Sequence, residues 1–341
     1  MPSHTHLIFG AGLIGTYLGS ILACNKQQVQ LFGRTRFKHA YQGSVKLTDY
    51  QQQQLSVDGL NFIDQLGECV TPDIIWLTVK CTGIKTAVEQ LKAQNLISQN
   101  SIILCCQNGL GSDIHVRQAF PDNRILREMV PFNVVEMGSG HLHRGSGGSL
   151  TIETDPNNSA ASLSQSINHA MLPATTTTNM NELLWAKLQL NISNSVNALA
   201  DMPLKAMLMQ RSYRILIAKL MEELLIVANV KQLTLPKLTA LPAAYLPLLL
   251  KSPTWLFKRL ASSMLAIDEQ VRLSMWWDLQ QGRKTEIDFL NGAVICEAEQ
   301  LGIACSANRL VYGAIKQVES AKEGQKSQQK FCVERILYEL Q

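Results

Sequence analysis

Lys187, Asn191 and Asn194 are spaced so that one helix face would carry an amine and two carboxamides. At about 100° per residue, positions three and four apart stack on one side. Leu184, Leu188 and Leu190 cover much of the rest, so the polar groups sit in an otherwise apolar stretch. Buried without partners, each would cost roughly a few kcal/mol. A bound polar ligand is a suitable partner. A cationic amine beside an oxygen that gains negative charge stabilises that charge and supplies a proton.

A second candidate stretch runs from Ser274 through Asp278 and Gly282 to Thr285, Glu286 and Asp288. Thr285 and Asp288 have capping-box spacing, which predicts a helix restart after Gly282. Glu286 then lies in a first turn beside free N–H groups. The plain alternative is an exposed, charge-rich helix junction.

These side chains need elements to hold them, and the N-terminus supplies the first. The apolar run His6-Leu7-Ile8-Phe9 ends in Gly10-Ala11-Gly12-Leu13-Ile14-Gly15, and a helical pattern follows through Leu18, Ile21 and Leu22. Strand, glycine turn and helix form the context in which GxGxxG signifies dinucleotide binding. Gly10 permits the turn, Gly12 lets the backbone approach a pyrophosphate, and Gly15 lets the helix pack on the strand. The free N–H groups of the helix N-terminus face the phosphates. The next strand, Val29 to Phe32, ends in Gly33 and Arg34, with Arg36 close by and no carboxylate. A guanidinium pairs with a 2′-phosphate, so NADP(H) is the expected cofactor. Surface charge is the alternative for both arginines.

Two more buried strands end in polar residues, where α/β proteins place ligand groups. Asp73 to Val79 ends in Lys80, and Ser101 to Cys106 ends in Gln107-Asn108-Gly109. Asn108 either presents its amide to a ligand or is a turn-forming Asn-Gly pair. Residues 43–64 predict a hairpin with Gln51 to Gln54 at its tip. Residues 125–154 predict edge strands of the first domain, and 156–172 a polar helix. From 181 onward strands largely disappear. Helical patterns cover 181–199, 204–230, 253–281, 286–301 and 305–320. The expected architecture is an α/β N-terminal Rossmann-type NADP-binding domain, residues 1–179, followed by an all-α domain, residues 180–341.

The 341 residues are enough for two domains with a sizeable core. Charged residues at 17% and hydrophobic ones at 46% fit a compact soluble protein. The net charge of +4 is mild and no long basic block occurs, which argues against nucleic acid and membrane as partners. A small anionic ligand suits the balance better. The eight cysteines show no CxxC pair, as expected of reduced structural thiols. No signal peptide is evident, so a cytoplasmic location is expected. The apolar run Leu241 to Leu250 is broken by Pro242 and Pro247 and is too short to span a bilayer. His141 and His143 form an isolated H-x-H, and no metal is expected.

Taken together, these pieces resemble the 2-dehydropantoate 2-reductase (ketopantoate reductase) family. The resemblance rests on GAGLIG at 10–15, Arg34, Lys80, QNG at 107–109, WxKxxxN at 185–191 and SMxxD…GRxTEID at 274–288. They span nearly the whole chain. GxGxxG is generic, whereas the Lys187/Asn191 helix combined with the Ser274 to Glu286 stretch is far more specific. The resemblance implies NADPH-dependent reduction of 2-dehydropantoate to (R)-pantoate, a step toward pantothenate and coenzyme A. It implies that Lys187 is catalytic and protonates the alkoxide. Asn191, Ser274, Glu286 and Asn108 would bind substrate, Ser274 at its carboxylate and Glu286 at its hydroxyl. Gly10 to Gly15, Arg34, Lys80, Asn108 and Glu286 would contact the cofactor.

Many members of that family carry a second asparagine two turns after the lysine; here the position is Ser195, flanked by Asn194 and Asn197. Either asparagine is an expected substitute at the substrate end. The chain is also long for the family, with extra material around residues 231–260. Two other readings stay open. One is an NADPH-dependent reductase of another 2-oxo acid; the other is a catalytically silent NADP-binding protein. The helical half is apolar enough to support a homodimer.

Overall fold

The computed structural model describes residues 4–41, 43–262, 265, 268–321 and 332–340. They form two compact units, one of the described residues up to 108 with 112–180, the other of 109–111 with the described residues from 181 onward.

The first unit begins with strand β1 (Thr5–Phe9), helix α1 (Leu13–Cys24), β2 (Gln28–Phe32) and α2 (Thr35–Ala40). Then come β3 (Ser44–Asp49), β4 (Gln54–Asp58), β5 (Asn61–Ile63), β6 (Ile74–Leu77), α3 (Ile84–Ala93), β7 (Ile102–Cys105) and α4 (Ile114–Ala119). It closes with β8 (Arg124–Met129), β9 (Val134–Gly138), β10 (His141–Arg144), β11 (Leu150–Glu153), α5 (Ser159–Ile167) and β12 (Ala174–Thr177). The main sheet has the order β12-β11-β8-β7-β6-β1-β2-β5. Strands β5 to β8 in that order are parallel, and β11 runs antiparallel to β8. Successive strand residues point to opposite faces. Ile8 accordingly joins Leu18, Leu31 and Trp76 in one core layer, while Leu7 and Phe9 join Ile75, Ile84 and Leu91 in the other. Apolar on both faces, the sheet is wound by helices on both. This is the Rossmann-type half. Because β1 lies between β2 and β6, the strand order reverses there, and the glycine turn follows β1 at that switch point.

The second sheet was not expected. Residues 125–154 do not all form edge strands of the main sheet: β9 and β10 leave it and build a four-stranded sheet, β4-β3-β10-β9. β10 pairs in parallel with β3, so the hairpin whose tip carries the glutamines recruits a strand far along the chain.

The second unit is helical: α6 (Met180–Asn191), α7 (Ser193–Ala200), α8 (Leu204–Met209), α9 (Arg211–Val230), α10 (Leu246–Lys251), α11 (Thr254–Leu260), α12 (Ser274–Gln280), α13 (Asn291–Gln300), α14 (Ser306–Ser320) and α15 (Val333–Glu339). Trp185, Leu188, Ile192 and Val196 pack with Leu216, Leu220 and Leu224 of α9 and with Val311 and Ile315 of α14. The helix expected over 253–281 is instead two, α11 and α12, separated by a stretch that includes residues outside those described (263, 264, 266 and 267). The helix expected over 181–199 is interrupted at Ile192. Ser193 Oγ donates to the Leu190 carbonyl at 3.0 Å and Ser195 Oγ to the Ile192 carbonyl at 2.9 Å. Such back-bonding competes with the helical ladder and bends it.

The stretch between α9 and α11 is tied down on its inner side. Gln189 Nε2, fully buried on α6, donates to the Ala243 carbonyl at 2.9 Å. Arg214 of α9, also fully buried, donates to the carbonyls of Leu208, Leu250 and Ser252 at 2.8–3.0 Å. Burial pushes its guanidinium below the usual arginine range. Among the described residues no helix is long and apolar enough to cross a membrane.

Candidate active site

The glycine turn is locked from two sides. Gly10 N and Ala11 N donate to the Phe32 carbonyl at 2.9 and 2.8 Å, and Thr78 Oγ1 donates to the Gly10 carbonyl at 2.8 Å. Gly10 takes φ +115°, and a Cβ there would stand 2.8 Å from Val79 N. A Cβ on Gly15 would meet the Gly10 carbonyl and lie 2.6 Å from Thr78 Oγ1. Gly12 differs: a Cβ there would find only the Gly10 carbonyl, 3.9 Å away. Open space thus lies beside the backbone where a pyrophosphate would approach. Gly12 caps α1 without a side-chain hydrogen bond, so no side-chain oxygen competes for the first-turn N–H groups of Leu13, Ile14 and Gly15.

Arg34 caps α2 just past β2 and is exposed. Among the described residues its guanidinium has no carboxylate partner. The Arg36 side chain lies outside what is described. Lys80, exposed, precedes a short turn after β6. Asn108 follows β7 and is half-buried, and its carbonyl accepts from the Cys81 thiol at 3.1 Å. Gln107 is buried and joins these strand ends. Its Nε2 donates to the carbonyls of Leu77 and Val79, the latter at 3.1 Å. Gly10 to Gly15, Arg34, Lys80 and Asn108 therefore all follow the carboxyl ends of neighbouring strands in one sheet.

In the helical unit, residues 184–199 are buried except Lys187, Leu190, Asn191, Ser193 and Asn194, which are half-open. The amine and both carboxamides thus occupy the open stripe of an otherwise buried helix pair. Ser195 is fully buried, its hydroxyl committed to Ile192. Asn197 is placed differently from Asn194. It too is fully buried; its Nδ2 donates to the Met202 carbonyl at 2.9 Å, and its Oδ1 accepts from Leu273 N at 3.0 Å. Asn194 is the asparagine on the open stripe.

Ser274 starts α12 and is exposed. Glu286 is buried and leads into a single 3₁₀ turn, Ile287–Phe289, with α13 beginning only at Asn291. The capping box expected of Thr285 and Asp288 does not form. Glu319 of α14 takes the reciprocal role, accepting from both Thr285 N and Thr285 Oγ1 at 2.7 and 2.6 Å. Asp288 instead binds Tyr312 and Lys316, each at 2.7 Å. The turn after Glu286 also receives the short segment that follows Asn108, because Leu110 N donates to the Phe289 carbonyl at 3.1 Å. A Cβ on Gly109 would collide with that same carbonyl. Among the described residues no cluster of three or more metal-ligating side chains occurs.

Comparison with known proteins bears on both units. The family described as "Ketopantoate reductase PanE/ApbA" matches residues 6–157, and "Ketopantoate reductase PanE/ApbA C terminal" matches residues 179–319. A 2-dehydropantoate 2-reductase of Streptococcus pyogenes is 27% identical over 249 residues, covering 70% of this chain and 73% of its own. The crystal structure of a ketopantoate reductase from Ralstonia eutropha JMP134 has a TM-score of 0.76 at 24% identity, covering 92% of this chain and 98% of its own. A D-mandelate dehydrogenase in complex with NADH and anilino(oxo)acetate has a TM-score of 0.73 at 19% identity, covering 92% and 98%. Matched along both halves of its length, the chain belongs to the ketopantoate reductase family, oxidoreductases that act on a ketone and its alcohol.

Proposed function

We propose that the protein reduces 2-dehydropantoate to (R)-pantoate with NADPH. The observation that carries this is the half-open stripe of Lys187, Asn191 and Asn194 on a buried helix pair, in a chain of this family. A bound reduced nicotinamide supplies the hydride. The space beside Gly12 and the first turn of α1 take its pyrophosphate, and Arg34 takes the 2′-phosphate. Lys80 and Asn108 contact it at the neighbouring strand ends. Reduction of the ketone leaves negative charge on its oxygen. Lys187 Nζ stabilises that charge and delivers the proton, a role typically worth about 10²–10⁴-fold. Asn191 and Asn194 orient the substrate, Ser274 Oγ donates to its carboxylate, and Glu286 accepts from its hydroxyl.

A second reading keeps this chemistry and changes the acid. Ser195, fully buried and bonded to Ile192, offers no polar atom at the substrate end. A relative of the same fold is a D-mandelate dehydrogenase. The test is NADPH consumption with 2-dehydropantoate beside pyruvate and 2-oxoisovalerate. Preferential turnover of 2-dehydropantoate supports the first reading, and preferential turnover of another acid the second. Tight NADPH binding without turnover of any would contradict both.

A further inference from the structure

We propose that Asn197 is a positioning residue, which sets where Ser274 stands relative to Lys187 and Asn191. The proposal rests on the reading that Ser274 holds the substrate carboxylate. α12 has seven residues, too few for a helix to hold itself in water. Its start must be fixed by something else, and its capping residue, Leu273, has no side-chain cap to offer. The Leu273 N–H instead donates to Asn197 Oδ1 at 3.0 Å. The other end of the same carboxamide donates to the Met202 carbonyl at 2.9 Å. One buried amide thus bridges the continuation of the Lys187 helix, the turn that ends it, and the residue before Ser274.

Further links follow the same seam. Leu204 N donates to the Val271 carbonyl at 2.8 Å. Asp201, at φ 48°, ends α7 and accepts from Trp276 Nε1 at 2.6 Å and from Arg272 at 3.2 Å. The Asp201 side chain is 68% exposed, so its ion pair with Arg272 is screened by water. Asn197 is fully buried, so its bonds to Leu273 N and the Met202 carbonyl are less screened than that ion pair. A carboxamide is what the position demands, since it must accept at one end and donate at the other.

The test compares KM for 2-dehydropantoate, kcat, NADPH affinity and melting temperature in the full-length protein. Asn197→Ala removes both bonds. It should raise KM roughly tenfold to hundredfold through misplacement of Ser274, with NADPH affinity unchanged. Asn197→Asp keeps the acceptor for Leu273 N and loses the donor, so it should lower the melting temperature yet hold KM near wild type. Val311→Ala, in the same core on α14, should lower the melting temperature without moving KM. Amide hydrogen exchange at Leu273 reads the link without turnover, and should be protected in wild type and fast in Asn197→Ala. Asn197→Ala with unchanged KM, or Asn197→Asp with a KM as high as that of Asn197→Ala, would overturn the proposal. If Asn197→Ala fails to fold, Asn197→Leu, which fills a similar volume without either bond, replaces it: a raised KM upholds the proposal and a wild-type KM rejects it. Ser274→Ala separates the two layers. If it leaves KM unchanged, the role of Ser274 fails; if it raises KM and Asn197→Ala does not, only the positioning role fails.

Discussion

Single side chains divide into those that face a ligand and those that hold others in place. Arg34 belongs to the first kind in the proposed function: exposed past β2, with no carboxylate partner among the described residues. Arg34→Ala should weaken NADPH by roughly ten- to hundredfold, as expected for a lost charge-assisted contact, and leave NADH nearly unchanged. Titration of both cofactors checks this, and an unaltered preference would reject the assignment. Gln107, Asn197 and Glu223 belong to the second kind. Glu223 of α9 accepts from Ala307 N and Asn308 N at the start of α14, at 2.7 and 2.9 Å. The ligand-facing candidates were legible because an amine, a guanidinium and amides at regular spacing or at strand ends have few structural uses. The holding residues were not. Asn197 meets a partner 76 positions away and Glu223 one 84 positions away, and no local pattern records such pairs.

Among the elements, the first βα unit is the most constrained. Gly15→Ala should abolish tight NADPH binding and cost about 1–3 kcal/mol of stability, because the new methyl would enter the space of the Gly10 carbonyl and Thr78 Oγ1. Calorimetric binding and denaturant unfolding report the two effects separately; unchanged binding would contradict the role given to the turn. This unit could be read from sequence because an apolar strand, a glycine turn and a helix follow one another within twenty-odd residues. The second sheet could not. β9 and β10 look like any edge strands, and only the pairing of β10 with β3 across the intervening chain assigns them elsewhere. The gap between α11 and α12 was hidden too, because neither proline nor glycine falls between Thr254 and Gln281 to announce it.

At the scale of the whole molecule, stability has an acid limit written into β1. His6 is fully buried, and burial lowers its pKa from 6.5 to about 4. Its Nδ1 accepts from Trp76 Nε1 at 3.0 Å, which requires that nitrogen to be unprotonated. The unfolded chain binds the proton first as pH falls, so this contribution is complete above about pH 6.5 and is lost progressively toward pH 4. The loss amounts to about 3 kcal/mol at most. Unfolding free energy measured across that window should fall in wild type and fall less steeply in His6→Gln; identical slopes would reject the assignment. The proposed function divides its labour over the chain, with cofactor binding in the first unit and the proton donor in the second. The kinetics of Lys187→Ala test that division most directly. In that variant kcat should fall at least about a hundredfold with NADPH affinity unchanged. A parallel loss of NADPH binding, or a kcat close to wild type, would contradict it.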